Sequence, residues 1–340
     1  MKYLIRSLEY WSSSNCSLIV LDGSKNSSKS LIQKQFPNAT YFHLPIPLEQ
    51  RLFFVGTQLS TQYVMIAADD DFMLKSGVKS CIIFLESNSD YVAAFGTAAR
   101  IKFVNNEVKL LKDYSNLIRV GQVINKGHWK RLRYHFKNDN FETSTLYSIQ
   151  LSSTFKKVSR MFQDMPKLDG NMLELLMESA ITYSGKTVVL DKLTWVRTLD
   201  AAPNWTTRDV VGKWSLKIRN SERNNFLKLI DLNVLSKSSK LPSKLRRWLF
   251  RLILVDKHLY DFTKIKGHIK WFFLPILFAY SNTDLNQIQL LSKLKKIVPF
   301  KKLDRTIYQI QLDEESSKII LVGAEKSELL QIEKLIRKSL

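Results

Sequence analysis

Residues 63–72 read YVMIAADDDF, an apolar stretch that ends in three consecutive aspartates. Residues 63–68 have the length and continuous apolarity of a strand buried on both faces, as in a parallel sheet. Three adjacent carboxylates at the end of such a strand repel one another and lose hydration. A divalent cation would offset that cost, because hard cations bind carboxylate oxygens and bridge them to substrate phosphates. The alternative is a polar turn with a helix-capping aspartate.

The segments around this stretch alternate between helical and strand patterns. Helices are predicted at residues 4–10, 27–35, 48–59 and 78–86, and strands at 16–22, 40–43 and 91–95. Such alternation predicts an α/β fold with a mostly parallel sheet flanked by helices. A strongly amphipathic helix is then predicted over 169–183, and Gly185 separates it from a strand at 187–190.

Composition excludes several classes of protein. Of 340 residues, 45% are hydrophobic and 24% charged, which excludes disordered, collagen-like and polytopic membrane proteins. Two cysteines can build neither a disulfide framework nor a zinc site, and they favour a reducing compartment. The first eleven residues have no signal-peptide pattern, so we expect a cytoplasmic protein.

The net charge of +21 is concentrated in the second half of the chain. Residues 1–100 hold nine Lys or Arg against eight Asp or Glu, whereas residues 201–300 hold 19 against six. Residues 208–297 read as basic amphipathic helices, and a final helix is predicted at 325–338 after a small strand at 319–322. This predicts one domain over 1–207 and a basic, mainly helical region over 208–340. The charge favours a polyanionic partner, and a solvated surface is the alternative.

The order of these motifs resembles the nucleotide-sugar glycosyltransferases of the GT-A fold, in particular the family-2-like enzymes of bacterial surface polysaccharide synthesis. IVLDGS at 19–24 is similar to the family's strand that ends in an Asp-Gly-Ser turn, and DDD at 69–71 is similar to its DxD motif. The resemblance covers residues 3–200. The family's first strand has no counterpart, because residues 4–11 match its first helix.

This resemblance implies roles for four aspartates. Asp22 would contact the nucleotide base, as the aspartate of the family's Asp-Gly-Ser turn does. Asp69 and Asp70 would bind the ribose and the rest of the nucleotide. Asp69 and Asp71, the two ends of the DxD motif, would hold Mn²⁺ or Mg²⁺ on the diphosphate.

The resemblance also requires a catalytic base on the acceptor side. Counting back from Gly185, Glu174 falls where the family's base lies, and Asp169 is the more natural carboxylate at the start of the helix. The family's Glu-Asp pair is absent, so both residues stay candidates. Either could instead interact only with the helix dipole.

The five histidines form no metal-binding pattern, which favours structural or surface positions for them. His128 and His135 lie in the basic stretch HWKRLRYHF at 128–136. The alternative for this stretch is that it faces a donor diphosphate.

The expected function is metal-dependent transfer of a sugar from a nucleotide-diphosphate donor to a glycan or lipid-linked acceptor, and the resemblance implies that the transfer is inverting. Residues 240–262 interleave basic residues with Trp and Phe. Such a segment could lie on the anionic inner face of a membrane, or its apolar side could pack on the catalytic domain. The rival function is a non-catalytic basic protein that binds RNA or membrane. No RNA- or DNA-binding motif is found, so a nucleic-acid partner is not expected.

Overall fold

The computed structural model describes most of the first 198 residues and three later segments. The described ranges are 1–104, 107–111, 121–124, 127–137, 145–163, 170–198, 220–237, 240–250 and 324–339. The predicted boundary near residue 207, the strand at 319–322, Asp169 and most of the basic region 208–297 lie outside them. The division into two domains therefore stays a prediction.

The described helices are α1 (Lys2–Trp11), α2 (Lys29–Gln35), α3 (Leu48–Gln58), α4 (Lys75–Ser87), α5 (His128–Lys137), α6 (Ser152–Ser159), α7 (Gly170–Ser184), α8 (Asn220–Asn233) and α9 (Ala324–Ser339). The strands are β1 (Leu18–Asp22), β2 (Ala39–His43), β3 (Tyr63–Val64), β4 (Phe72–Met73), β5 (Tyr91–Val104), β6 (Glu107–Leu111), β7 (Gly121–Val123), β8 (Ile149–Leu151) and β9 (Lys186–Thr198). Short 3-10 helices cover Arg160–Phe162 and Leu235–Lys237, and residues 243–250 are helical. Most of the described helices, and the strands β1, β2, β5 and β9, overlap the elements that the sequence predicts, whereas α5, β4, β6 and β7 were not predicted.

The main sheet is mixed, and the prediction of a mostly parallel sheet is wrong. Its strands run in the order β3-β8-β5-β9-β4, with β6 added to β5 and β7 to β9. Among the described strands, β5 and β9 are its one parallel pair. The difference arises from short antiparallel strands, of which β4, β6 and β7 were not revealed by the sequence pattern. Antiparallel neighbours need only short connections, such as the one from β5 to β6.

The apolar stretch 63–68 forms less strand than predicted. Only Tyr63 and Val64 pair with a neighbour, β8, and residues 65–68 belong to no ladder. Their side chains still alternate between the two faces of the sheet: Val64 and Ile66 pack on one core cluster, and Tyr63 and Met65 on the other. The extended geometry is retained without the hydrogen bonds of a central strand.

Two hydrophobic cores cover the two faces of the main sheet. One is formed mainly by α3, α6, α7 and α8, and the other by α1, α4, β5, β9 and α9. The strands β1 and β2 form a separate parallel pair, in which Asp22 lies opposite His43. No helix in the described ranges is both long enough and apolar enough to cross a membrane.

The last helix, α9, is part of the second core although it lies more than 200 residues from α1 in sequence. Ile332 and Ile336 are fully buried there. Glu328 contacts the start of α4: its carboxylate accepts hydrogen bonds from the backbone N–H groups of Lys75 (2.6 Å) and Ser76 (2.9 Å), and from the Tyr10 hydroxyl (2.8 Å). A carboxylate at a helix N-terminus satisfies N–H groups that have no partner within the helix and interacts favourably with its dipole. Glu328 therefore fastens α9 to α4.

We expect Glu328→Ala to lower the free energy of unfolding by about 1–3 kcal/mol, because it removes the acceptor for two helix-start N–H groups and a buried hydroxyl. Chemical denaturation measures the change. The matched control is Glu333→Ala, which removes an exposed ion pair with Arg337 on the same helix and should cost about 0.3–0.5 kcal/mol. Equal losses in the two variants would contradict this role of Glu328.

Candidate functional site

The three consecutive aspartates lie in different environments. Asp69 is exposed, Asp70 is half-buried, and Asp71 retains only 7% of its exposure. The turn lies between the apolar segment 63–68 and β4, and β4 pairs with β9. The backbone thus directs three identical side chains to three levels of solvation.

The carboxylate of Asp71 is bound to β9. Its Oδ2 accepts a hydrogen bond from Trp195 Nε1 at 3.0 Å, and its Oδ1 accepts one from the Thr198 backbone N–H at 3.2 Å. The guanidinium of Arg197 lies 3.6 Å from Oδ2 and packs over the Trp195 ring. Asp71 therefore connects the acidic turn to the end of the longest parallel pairing in the sheet.

The backbone of Asp70 is held by α1 and again by β9. Its carbonyl oxygen accepts hydrogen bonds from Arg6 Nη2 of α1 (3.1 Å) and from the Thr198 hydroxyl (2.5 Å). Arg6 is buried, and its guanidinium lies over the ring of Phe72. No sequence pattern singles out Arg6, because it lies 64 residues before its partner.

These environments change the acidity of the turn. Burial, together with the charge of Asp70, raises the pKa of Asp71 from 3.8 to about 7, against the opposing effects of Arg197 and the two hydrogen bonds. Burial and the charge of Asp69 also raise the pKa of Asp70. Perturbed carboxylates of this kind are frequent at functional sites, although structural networks produce them too.

Tyr147 relates the acidic turn to Glu174. Its ring packs against Trp195 at 4.9 Å between centroids, tilted by 34°. Burial raises its pKa first, and the charges of Glu174, Asp71 and Asp70 raise it further. The candidate base and two of the three aspartates therefore act on the same phenol, which places them in one electrostatic neighbourhood. Tyr147 was not identified from the sequence, where no motif surrounds it.

Along α7, Glu174 and Glu178 are one helical turn apart but have different surroundings. Glu178 is buried and accepts hydrogen bonds from the backbone N–H groups of Thr145 (2.9 Å) and Leu146 (2.8 Å), with His135 Nε2 at 2.9 Å. Glu178 is thus bound by the structure. Glu174 is half-buried, and its charge is one of those that raise the pKa of Tyr147.

The basic stretch 128–136 is turned partly inward. The buried guanidinium of Arg131 donates to the carbonyl oxygens of Thr182 (2.9 Å) and Tyr183 (2.5 Å) at the end of α7. His128 Nδ1 lies 2.8 Å from the same Tyr183 oxygen, and His135 binds α7 further back. These three side chains hold α5 on α7, which agrees with the structural interpretation of the two histidines.

Asp22 forms a second, separate cluster at the end of β1. Its carboxylate accepts hydrogen bonds from the Ser24 backbone N–H (2.8 Å) and from the Tyr41 hydroxyl. Burial alone would raise the pKa of Asp22, but the bonds from Ser24 and Tyr41 and the proximity of His43 outweigh it and lower the pKa. Asp22 is therefore held as an anion.

Gly23 lets Arg51 approach this turn. The Arg51 guanidinium donates to the carbonyl oxygen of Leu21 at 2.9 Å, and a Cβ on Gly23 would lie 2.4 Å from its Cζ. The Asp-Gly-Ser sequence therefore combines a fixed carboxylate with an adjacent cation. Ile19 and Leu21 of β1 pack on the same core as Val64 and Ile66, so one core supports the strands that precede both clusters.

A divalent cation would have to use the carboxylate oxygens of the turn. No group of three His, Cys, Asp or Glu side chains within the described ranges is arranged to hold a metal ion. Nucleotide-bound Mg²⁺ needs only one or two carboxylates beside phosphates and waters. Asp69 is exposed, and Asp71 uses two of the roughly four acceptor positions of a carboxylate for its hydrogen bonds. The pair thus fits a cation that arrives with a diphosphate, and not a preformed cage.

Comparison with known proteins gives little support for any family. No protein-family model and no curated protein matches the sequence. The crystal structure of S. aureus TarS residues 1–349 matches at 13% identity with a TM-score of 0.43, covering 76% of this chain and 85% of that one. The crystal structure of S. aureus TarS matches at 13% identity and 0.41, covering 76% and 52%. This chain therefore spans about half of the second structure, and neither similarity is high enough to indicate a shared function.

We expect the stability of the protein to fall as the pH rises through 7. The folded protein binds the Asp71 proton more tightly than the unfolded chain, because its pKa is about 7 rather than 3.8. The stabilisation is full below pH 3.8 and lost as the pH passes the folded-state pKa. Its size is up to about 4 kcal/mol at 1.36 kcal/mol per pKa unit.

Urea unfolding between pH 4 and pH 8 measures this loss. In Asp71→Asn the decline should be smaller, because the asparagine carries no charge at any of these pH values. The exposed Asp69→Asn variant is the control and should keep most of the wild-type slope. Parallel curves for wild type and Asp71→Asn would refute the assignment.

Proposed function

We propose that this protein is a glycosyltransferase that moves a sugar from a nucleotide-diphosphate donor to a glycan or lipid-linked acceptor. The observation that carries the proposal is the packing of Tyr147 against Trp195, the side chain that binds Asp71 of the acidic turn. Burial raises the pKa of Tyr147, and the charges of Glu174, Asp71 and Asp70 raise it further. A donor-binding acidic turn and an acceptor-side base must lie within reach of the same anomeric carbon. The motif resemblance requires the acidic turn and the base to be close in space, although residues 69–71 and Glu174 are about 100 positions apart in sequence.

In this proposal Asp22 and Arg51 bind the nucleotide. Asp22 is the fixed anion that accepts hydrogen bonds from the base, and the adjacent guanidinium of Arg51 attracts the diphosphate. Asp69 and Asp70 face the ribose. Asp69 and Asp71 would hold Mn²⁺ or Mg²⁺, and such a cation would supply positive charge for the diphosphate leaving group.

The proposed reaction is an in-line displacement at the anomeric carbon. An acceptor hydroxyl oxygen forms the new bond while the bond to the diphosphate oxygen breaks, and the configuration inverts. Glu174 takes the hydroxyl proton as the oxygen attacks, and the nucleoside diphosphate leaves with the electron pair. Asp169, at the start of the same helix, is the alternative base.

The rival function, a basic binding protein without catalysis, is favoured by the charge of the second half alone. It predicts salt-sensitive binding of a polyanion and no turnover of any nucleotide sugar. It does not account for a carboxylate on α7 that shares an electrostatic neighbourhood with the acidic turn. Turnover of a nucleotide sugar distinguishes the two functions.

We expect Asp69→Asn to abolish the metal-dependent stabilisation by nucleoside diphosphates while the free protein stays folded. Asp69 is exposed, so its substitution removes a ligand without disturbing the core. Thermal shift with UDP and GDP, each with and without Mn²⁺ or Mg²⁺, measures the effect. The control variant is Asp90→Asn. Asp90 is exposed, directly precedes β5 and forms an ion pair with Lys186. If both variants keep the same metal-dependent shift, the metal site lies elsewhere.

We expect Glu174→Gln to lower the transfer rate by a factor on the order of 10²–10⁴, the usual contribution of a general base. Donor affinity should hardly change, since Glu174 faces the acceptor. Transfer and donor binding are measured separately in the same preparation. Glu178→Gln is the control on this helix: it should destabilise the protein, because Glu178 holds three hydrogen-bond donors. Loss of transfer in Asp169→Asn but not in Glu174→Gln would assign the base to Asp169.

A further inference from the structure

The segment between residues 220 and 250 exposes large apolar side chains in a strongly basic setting. Leu232 is 67% exposed, Trp248 44% and Leu245 39%. Over these residues the sequence holds seven Lys or Arg against two Asp or Glu. Exposed apolar residues occur elsewhere too, such as Ile83 on α4, but α4 has only two lysines and one glutamate in thirteen residues.

The inner side of the helix at 243–250 is identified by its contacts with α8. Ser243 and Arg246 both bind the buried carboxylate of Asp231, with Arg246 Nε at 2.6 Å. Phe250 is fully buried and packs against Phe226, with ring centroids 6.2 Å apart. These positions recur at intervals of three and four residues and therefore form one face of the helix.

The opposite face carries Lys244, Leu245 and Trp248, which are all exposed. Leu245 and Trp248 are three residues apart and therefore neighbours on the helix surface. Lys240 precedes the helix and is exposed, and the exposed Leu232 directly follows the Asp231 that binds the helix. We call these residues the Trp248 surface; its members are Leu232, Lys240, Lys244, Leu245 and Trp248.

We propose that the Trp248 surface binds an anionic lipid membrane, independently of the proposed catalytic function. Trp and Leu side chains insert at the boundary between headgroups and acyl chains, while lysines attract the anionic headgroups. A nucleic acid would also match the positive charge, and a base could stack on Trp248. A nucleic acid, however, has no apolar surface that would cover Leu232 and Leu245. Exposed leucines favour a partner with a hydrocarbon interior. In this proposal the helix at 243–250 lies parallel to the membrane surface, with Leu245 and Trp248 toward the lipid.

Vesicle co-sedimentation of the full chain tests the proposal. Phosphatidylcholine vesicles with 30% phosphatidylglycerol are compared with pure phosphatidylcholine, at low and high salt. We expect roughly tenfold or more tighter binding to the anionic vesicles at low salt, since each basic residue near the surface contributes about 1 kcal/mol. High salt should remove most of this difference. Equal binding to both vesicle types would overturn the proposal.

Substitutions locate the surface. Trp248→Ser and Lys244→Glu should each weaken anionic-vesicle binding by roughly fivefold or more. The matched controls on α4 are Ile83→Ser and Lys79→Glu, which remove an exposed apolar and an exposed basic residue from another face and should leave binding unchanged. Urea unfolding confirms that all four variants fold. Equal losses in both pairs, or no loss in either, would overturn the proposal, and so would binding to a single-stranded RNA 20-mer that depends on Trp248 while vesicles do not bind.

Discussion

Burial of the Asp71 carboxylate against β9 fastens the acidic turn to the main sheet. The hydrogen bonds from Trp195 Nε1 and the Thr198 N–H hold this side chain, and the Thr198 hydroxyl and Arg6 hold the backbone one residue earlier. An uncompensated buried carboxylate would be costly, so these donors are a condition for the turn to exist in this form. They also fix where Asp69 is presented to solvent.

The fold gives chemically identical residues different properties, as Asp69 and Asp71 show. Asp71, whose pKa is about 7, can hold or release a proton at neutral pH, whereas the neighbouring Asp69 is exposed and accessible to a cation. The pair Glu174 and Glu178 follows the same logic on α7. Three donors occupy Glu178 within the fold, while Glu174 acts on Tyr147 beside the turn. In both pairs the two side chains are of the same type, and only their solvation and their hydrogen-bond donors distinguish them.

The later part of the chain contributes in two directions. Its last helix brings Ile332 and Ile336 into the core beside α1 and α4, and Glu328 caps the helix that follows the acidic turn. The helices at 220–250 instead combine an apolar contact between Phe226 and Phe250 with a basic outer face. One part thus stabilises the neighbourhood of the candidate site, and the other presents charge to the surroundings. α9 and the helices at 220–250 are all amphipathic. The two parts differ in what the face turned away from the apolar contacts binds.

The sequence by itself determined most of the helices, because hydrophobic periodicity is local: α7 and α9 begin and end within one residue of their predictions, although α5 was not predicted. It also located the acidic turn and the aspartate at the end of β1. Only the tertiary structure decided that the sheet is mixed, that Asp71 is buried while Asp69 is exposed, and that Tyr147 packs against the Trp195 that binds Asp71. These features depend on partners far apart in sequence, such as Arg6 with Asp70 and Lys75 with Glu328, 64 and 253 residues away. Packing selects such partners, and no pattern within a few helical turns records the choice.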